Sequence, residues 1–149
     1  MITPYRFVTE SLRIENILRP PRETEMNEFD RFMHLEEVTL ADLLQFVEIY
    51  QPNAKLRNVQ GRDVIIGDYI PPAGGPVITG MLDDILDDAD DSMGLETPFD
   101  IHVRYERLHP FTDCNGRSGR MLWAWHMGMD NAMRLPFLQQ FYYQTLKES

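Results

Sequence analysis

Apolar residues recur at helical spacing along most of this chain, and prolines and capping residues cut that spacing into segments of about three turns. Stripes of that length are buried by packing helix on helix, so the expected class is mainly α. The first stripe is Ile14, Ile17 and Leu18, on a helix expected from about Thr9 to Arg19 and stopped by Pro20-Pro21. Thr24 is the expected N-cap of a second, with Met26, Phe29 and Met33 on one face. Thr39 opens a third, with Asp42 at the reciprocal capping position, Leu40, Leu43, Leu44 and Val47 as its stripe, and Pro52 as its end. Val77, Met81 and Ile85, beside Ile78 and Leu82, mark a fourth. Thr97-Pro98-Phe99-Asp100 joins an N-cap, a first-position proline and a first-turn acid, and opens a helix to about Leu108. Met121 to Met129 is nearly all apolar and reads as a buried central helix, and Leu138, Phe141, Tyr142 and Leu146 mark a last one.

Between Asp63 and Pro72 the period changes. Val64-Ile65-Ile66 and Tyr69-Ile70 read as two very short strands around Gly67-Asp68, and Pro71-Pro72 prevents the second from extending. Two strands alone are marginal, so this hairpin is expected to lie on helices or to offer a docking edge.

Charge narrows the partners. The 149 residues include 14 Lys and Arg against 24 Asp and Glu, a formal net charge of -10. Nucleic acid and anionic membrane surfaces need clustered basic residues, so neither is expected as a partner. One cysteine excludes an internal disulfide and a cysteine-based zinc site. No apolar run reaches bilayer length and no signal-peptide stretch opens the chain, which is expected to be a single cytoplasmic domain over residues 1–149.

The chemistry is concentrated in His109-Pro110-Phe111-Thr112-Asp113-Cys114-Asn115-Gly116-Arg117-Ser118-Gly119-Arg120. Pro110 disfavours helix at His109, which places the imidazole at a helix end on an irregular loop. Asn115-Gly116 is a dipeptide that readily takes left-handed angles, and an apolar helix follows. A loop feeding a helix N-terminus presents free N–H groups and a positive dipole end, which together make an anion site. Arg117 and Arg120, three residues apart, share a helix face there. Two cations oppose the dipole, a penalty outweighed once a polyanion lies between them, since each guanidinium–phosphate contact contributes ~1.5–3 kcal/mol. Asp113 supplies a hard oxygen of the kind that holds Mg²⁺ beside phosphates. His109 supplies a general base.

This stretch resembles the signature of the Fic family, His-Pro-Phe-x-Asp-Gly-Asn-Gly-Arg-x-x-Arg, at every fixed position except Cys114, where the family usually has glycine. The resemblance implies a helical Fic core with the hairpin as a flap, and a protein adenylyltransferase that moves AMP from ATP to a Ser, Thr or Tyr hydroxyl with Mg²⁺. His109 would take the hydroxyl proton and Asp113 would hold the metal. Asn115 and the amides around Gly116 would form the anion hole, Arg117 and Arg120 would grip the β- and γ-phosphates, and Ser118 and Gly119 complete the nucleotide-binding stretch. Val64, Ile65 and Ile66 would dock the backbone of an unknown target protein, with self-modification also open. Cys114 either adopts positive φ at a cost of about 1–2 kcal/mol, or serves as a small residue with a free N–H; the second is the expectation.

Upstream, Ser11-Leu12-Arg13-Ile14-Glu15-Asn16 resembles the family's inhibitory pattern, [Ser/Thr]-x-x-x-Glu-[Gly/Asn], placed before the core. It implies an inhibitory helix and junction over about residues 1–21 and a core over 22–149. Ser11, Glu15 and Asn16 would carry the restraint, Glu15 competing with the γ-phosphate for Arg120. Other transfers, AMP removal, or a low-turnover toxin-system or interaction component remain the alternatives. The acidic run Asp87 to Ser92 is out of register for a calcium loop, and His34, His102 and His126 lack zinc spacing.

Overall fold

The computed structural model describes residues 1–91 and 94–134. Seven helices occur among them: α1 (Pro4–Ile14), α2 (Glu23–Met33), α3 (Leu40–Tyr50), α4 (Pro76–Asp90), α5 (Pro98–Leu108), α6 (Asn115–Met127) and the short α7 (Met129–Ala132). The expected helix around Leu138, Phe141, Tyr142 and Leu146 lies outside the described residues. The protein is mainly α, as its spacing predicts.

Helix α6 is the hub, touching α1, α2, α3, α5 and α7. Its Met121, Leu122 and Ala124 meet Leu12 of α1, Phe29 and Phe32 of α2, Leu43 and Phe46 of α3, and Ile101 and Tyr105 of α5 in one buried cluster. Ile78, Leu82, Ile85, Leu86 and Ala89 form the inner face of α4, which lies on α5. Val77 and Met81, one turn apart, point outward. The central helix expected from Met121 to Met129 starts six residues earlier, within the signature, and Gly128 at φ 84° ends it.

Two helices begin where their caps predict. Thr39 and Asp42 exchange side-chain-to-backbone bonds at α3, as do Thr97 and Asp100 at α5. Two others do not. Helix α2 starts at Glu23, ahead of Thr24, because the Glu25 carboxylate reaches back to the Arg22 amide at 2.7 Å. Helix α1 starts at Pro4 behind Thr3, whose hydroxyl accepts from the Arg6 amide, and buries Phe7, Val8 and Leu12. It stops well short of Pro20-Pro21. Asn16 takes left-handed angles at φ 60°, its amide bonds Arg13 O, and the Ile17 amide bonds Leu12 O. That is a Schellman ending, in which asparagine substitutes for the usual glycine.

The expected strands are not formed. Ile66 and Tyr69 make one antiparallel bridge, with both N–H···O distances 2.9 Å, around Gly67 at φ 57°. Val64, Ile65 and Ile70 stay outside it because no third strand supports the pair and Pro71 follows. A second bridge, Leu56 with Phe111, ties the segment after α3 to the signature loop.

Candidate functional site

The signature loop joins α5 to α6, and three features fix it. Pro110 O accepts from the Arg57 amide at 2.8 Å, and the Thr112 amide donates to Lys55 O at 2.8 Å. The Asn115 carboxamide accepts from the Phe111 amide at 2.9 Å and donates to Phe111 O at 2.8 Å, closing the loop on itself. Asn115 therefore braces the loop with its side chain, which leaves its backbone N–H as the group it could offer an anion.

Left-handed backbone occurs in this loop at His109 (φ 51°) and Cys114 (φ 69°). Asn115 and Gly116, expected to take those angles, are helical instead, and the turn falls one residue earlier. The expectation that Cys114 avoids positive φ is corrected: the chain reverses into α6 there, and a Cβ is carried at a cost of about 1–2 kcal/mol. Its thiol is buried and pushed up to about 12 by desolvation, so it is protonated and no nucleophile.

His109 is the C-cap of α5. Its Nδ1 lies 3.1 Å from Glu106 O, and a carbonyl only accepts, so Nδ1 carries the proton and Nε2 is the open base. Burial lowers the imidazole pKa below 6.5, assisted by the Arg57 charge; the Glu106 bond, Glu15 and Asp113 act the other way. The ring is thus neutral near pH 7.

Helix α6 begins without a side-chain cap. Beside its first turn, Asp113 offers a carboxylate that is 60% exposed, with Oδ1 accepting from the Cys114 amide at 2.7 Å and lying 3.7 Å from Arg117. Arg117 is buried but loosely held, 3.4 Å from Tyr50 O and 3.3 Å from Gln51 Oε1, and its buried Nε has no partner among the described residues. A buried guanidinium so poorly satisfied fits an anion that supplies the missing acceptors.

Arg120 turns the other way, into α1. Its Nε donates to Ser11 Oγ at 2.8 Å, and its Nη2 donates to Ser11 O and Glu15 Oε1, each at 2.9 Å. Ser11 and Glu15 are one helical turn apart, and the left-handed Asn16 ends α1 just behind Glu15. Gly116 makes room for this pair. A Cβ there would run into Glu15 Oε1 and sit 2.8 Å from Arg120 Nη1.

Ser118 and Gly119, expected among the nucleotide-binding residues, face α5. Ser118 Oγ donates to Cys114 O at 2.7 Å and accepts from the Tyr105 hydroxyl at 2.7 Å. Gly119 lets the helices close, since a Cβ would meet Glu106 Oε1 at 2.5 Å and Tyr105 at 3.0 Å. Its carbonyl accepts from His102 Nδ1 at 3.0 Å.

Val64, Ile65 and Ile66 stand apart from this centre on the turn, where Ile65 is 72% exposed and the Tyr69 hydroxyl donates to Arg107 O at 2.7 Å. Sequence reasoning missed Arg57. It is fully buried, and its guanidinium donates to His109 O at 2.6 Å and Leu108 O at 2.8 Å. No period or motif marks it. Among the described residues no group of His, Cys, Asp and Glu forms a metal cluster, and no helix is long and apolar enough to cross a membrane.

The family model described as Fic/DOC matches residues 32–127 of the chain, which takes in the whole signature and leaves Ser11, Glu15 and Asn16 outside.

Proposed function

This chain belongs to the Fic/DOC family, and from that premise we propose that it is a protein adenylyltransferase restrained by Glu15. The observation that carries the reading is the surroundings of the α6 N-terminus: a neutral, Nδ1-protonated His109, an exposed Asp113, and two buried arginines within reach of one uncapped helix end.

ATP lies with its phosphates over the α6 amides, whose positive end and close approach at Gly116 suit a polyanion. Arg117 Nε gains an acceptor from the β-phosphate. A target Ser, Thr or Tyr hydroxyl attacks the α-phosphorus, forming the new O–P bond as the bond to the β-phosphate oxygen breaks. His109 Nε2 takes the hydroxyl proton, and pyrophosphate leaves in line. Asp113 would hold Mg²⁺, which when bound offsets phosphate charge. The exposed Ile65 and Ile66 beside the turn are the edge on which the target's backbone docks.

Restraint follows from Arg120. A γ-phosphate needs the guanidinium that Ser11 and Glu15 already occupy, so ATP enters with its chain turned from in-line geometry. The test is intact-mass spectrometry of the Glu15→Gly protein incubated with ATP and Mg²⁺, alone and with lysate proteins. A gain of one AMP on itself or on a target, abolished by His109→Ala, is expected. Transfer of phosphate instead, or transfer that persists without His109, overturns the reading.

A further inference from the structure

The transfer reading leaves one buried cation without a task. Arg57 lies in the segment between α3 and α4, is fully buried, and makes no ion pair with a carboxylate among the described residues. Four of its N–H groups go to four backbone carbonyls instead. Nε donates to His109 O at 2.6 Å, Nη2 to Leu108 O at 2.8 Å, and Nη1 to Pro72 O at 2.9 Å and Arg62 O at 3.1 Å. Its own amide donates to Pro110 O, and its carbonyl accepts from the Gly75 amide.

These partners form two sets. Leu108, His109 and Pro110 are the end of α5 and the start of the signature loop, where the carbonyls have lost helical partners and carry the negative dipole end. Arg62 and Pro72 are the two feet of the turn that presents Ile65 and Ile66. One planar fork therefore joins the backbone of the base to both feet of the exposed edge. A helix C-terminus needs acceptors satisfied, which a lysine or a water could do. Spanning both sets at once needs the geometry of a guanidinium.

We infer that Arg57 is a positioning residue for the transfer reaction: it holds His109 in its left-handed conformation and sets the distance between that imidazole and the docking turn. The inference rests on the adenylyltransferase reading for its catalytic consequence. The fixed carbonyl of His109 keeps ring Nδ1 hydrogen-bonded to Glu106 O, so Nδ1 stays protonated and Nε2 faces the incoming hydroxyl. A shift of about 1 Å in such a group costs on the order of 10²-fold in rate.

Arg57→Gln and Arg57→Lys are made in the Glu15→Gly protein and checked for fold by circular dichroism. The glutamine variant is expected to lose roughly 10²-fold in kcat for AMP transfer with KM for ATP nearly unchanged, and the lysine variant to recover part of the loss. Ring nitrogen spectra of ¹⁵N-histidine protein at pH 8 give a readout independent of turnover. His109 is expected to hold the Nδ1-protonated tautomer in the parent and to move toward the mixture of an unrestrained imidazole in Arg57→Gln. Unchanged kcat with an unchanged tautomer overturns the inference, as does loss of fold in both variants, which would assign Arg57 to folding alone. An inactive Glu15→Gly parent would sink the transfer reading, and the tautomer would still decide the role of Arg57.

Discussion

Arg120 Nη2 and Glu15 Oε1 meet at 2.9 Å although 105 positions of chain separate them, and the guanidinium is 1% exposed while the carboxylate is 32% exposed. In the proposed reading this pair is the restraint. Replacing Glu15 by glycine frees the guanidinium for a phosphate, and AMP transfer is expected to rise roughly 5–150-fold, the range of a coupling of about 1–3 kcal/mol. Initial rates with labelled ATP check it; an unchanged rate removes the restraint from the reading.

The glycine beneath that pair is equally specific. Gly116→Ala drives a Cβ into Glu15 Oε1, and overpacking of this kind destabilises by about 1–3 kcal/mol. In the Gly116→Ala, Glu15→Gly double variant the collision with Glu15 is gone and only the contact with the Arg120 guanidinium remains, so urea denaturation is expected to give a combined loss about 1 kcal/mol smaller than the sum of the singles. Strict additivity would mean that the two side chains do not meet.

His109 predicts the acid limb of activity. Burial lowers its pKa, with Arg57 adding to the effect, and only the neutral ring accepts a proton. Between about pH 5 and 8, kcat/KM of the Glu15→Gly protein is therefore expected to rise through a midpoint below 6.5 and then level. A midpoint above 6.5 would mean that the base is another group.

His102 predicts a stability effect with a definite sign. Its burial pushes the pKa down to about 4 from 6.5, the Gly119 bond opposing. Above pH 6.5 neither folded nor unfolded chain is protonated there. Below it the unfolded chain binds the proton first, so stability falls between pH 6.5 and about 4, by about 3 kcal/mol in all. His102→Asn keeps a donor to Gly119 O without the titration, and its stability measured by urea unfolding should lack that component of the slope.

Cys114 offers a test of backbone strain. Alanine there keeps a Cβ at φ 69° and loses the buried sulfur; glycine loses the sulfur but relieves the strain. Relief of about 1–2 kcal/mol against an unfolded-state penalty of about 0.4–1 leaves Cys114→Gly more stable than Cys114→Ala by about 0.5–1 kcal/mol. Thermal unfolding of the two variants decides it.

What the sequence reveals divides along the range of the interactions involved. Helices α3 and α5 start where expected because Thr39 with Asp42, and Thr97 with Asp100, close their caps within four residues. The signature is legible because its parts are contiguous. Helix α1 differs from the expected Thr9–Arg19 span at both ends. Its stripe of Phe7, Val8 and Leu12 precedes Ile14, Ile17 and Leu18, and Asn16 ends it before either proline could. The positive φ falls on Cys114 because the Asn115 side chain is already committed to Phe111, a fact that residue preferences at a single position do not carry. The strands fail for want of a neighbour. Arg57 is invisible for a related reason: its partners are backbone carbonyls, two of them 51 and 52 positions along the chain, and carbonyls have no sequence identity.

The ending of α1 has a consequence for how such a protein answers its surroundings. Because Glu15 is presented by the same polypeptide, on a helix anchored through Phe7 stacked 6.3 Å from Trp123, its encounter with Arg120 is unimolecular. Dilution leaves it untouched, and so does a change in expression level. In the proposed reading, tethering of this kind supplies locally what a free inhibitor would need a separate pool to match. In that reading a competing anion, or a force that peels the aromatic anchor away, changes the occupancy.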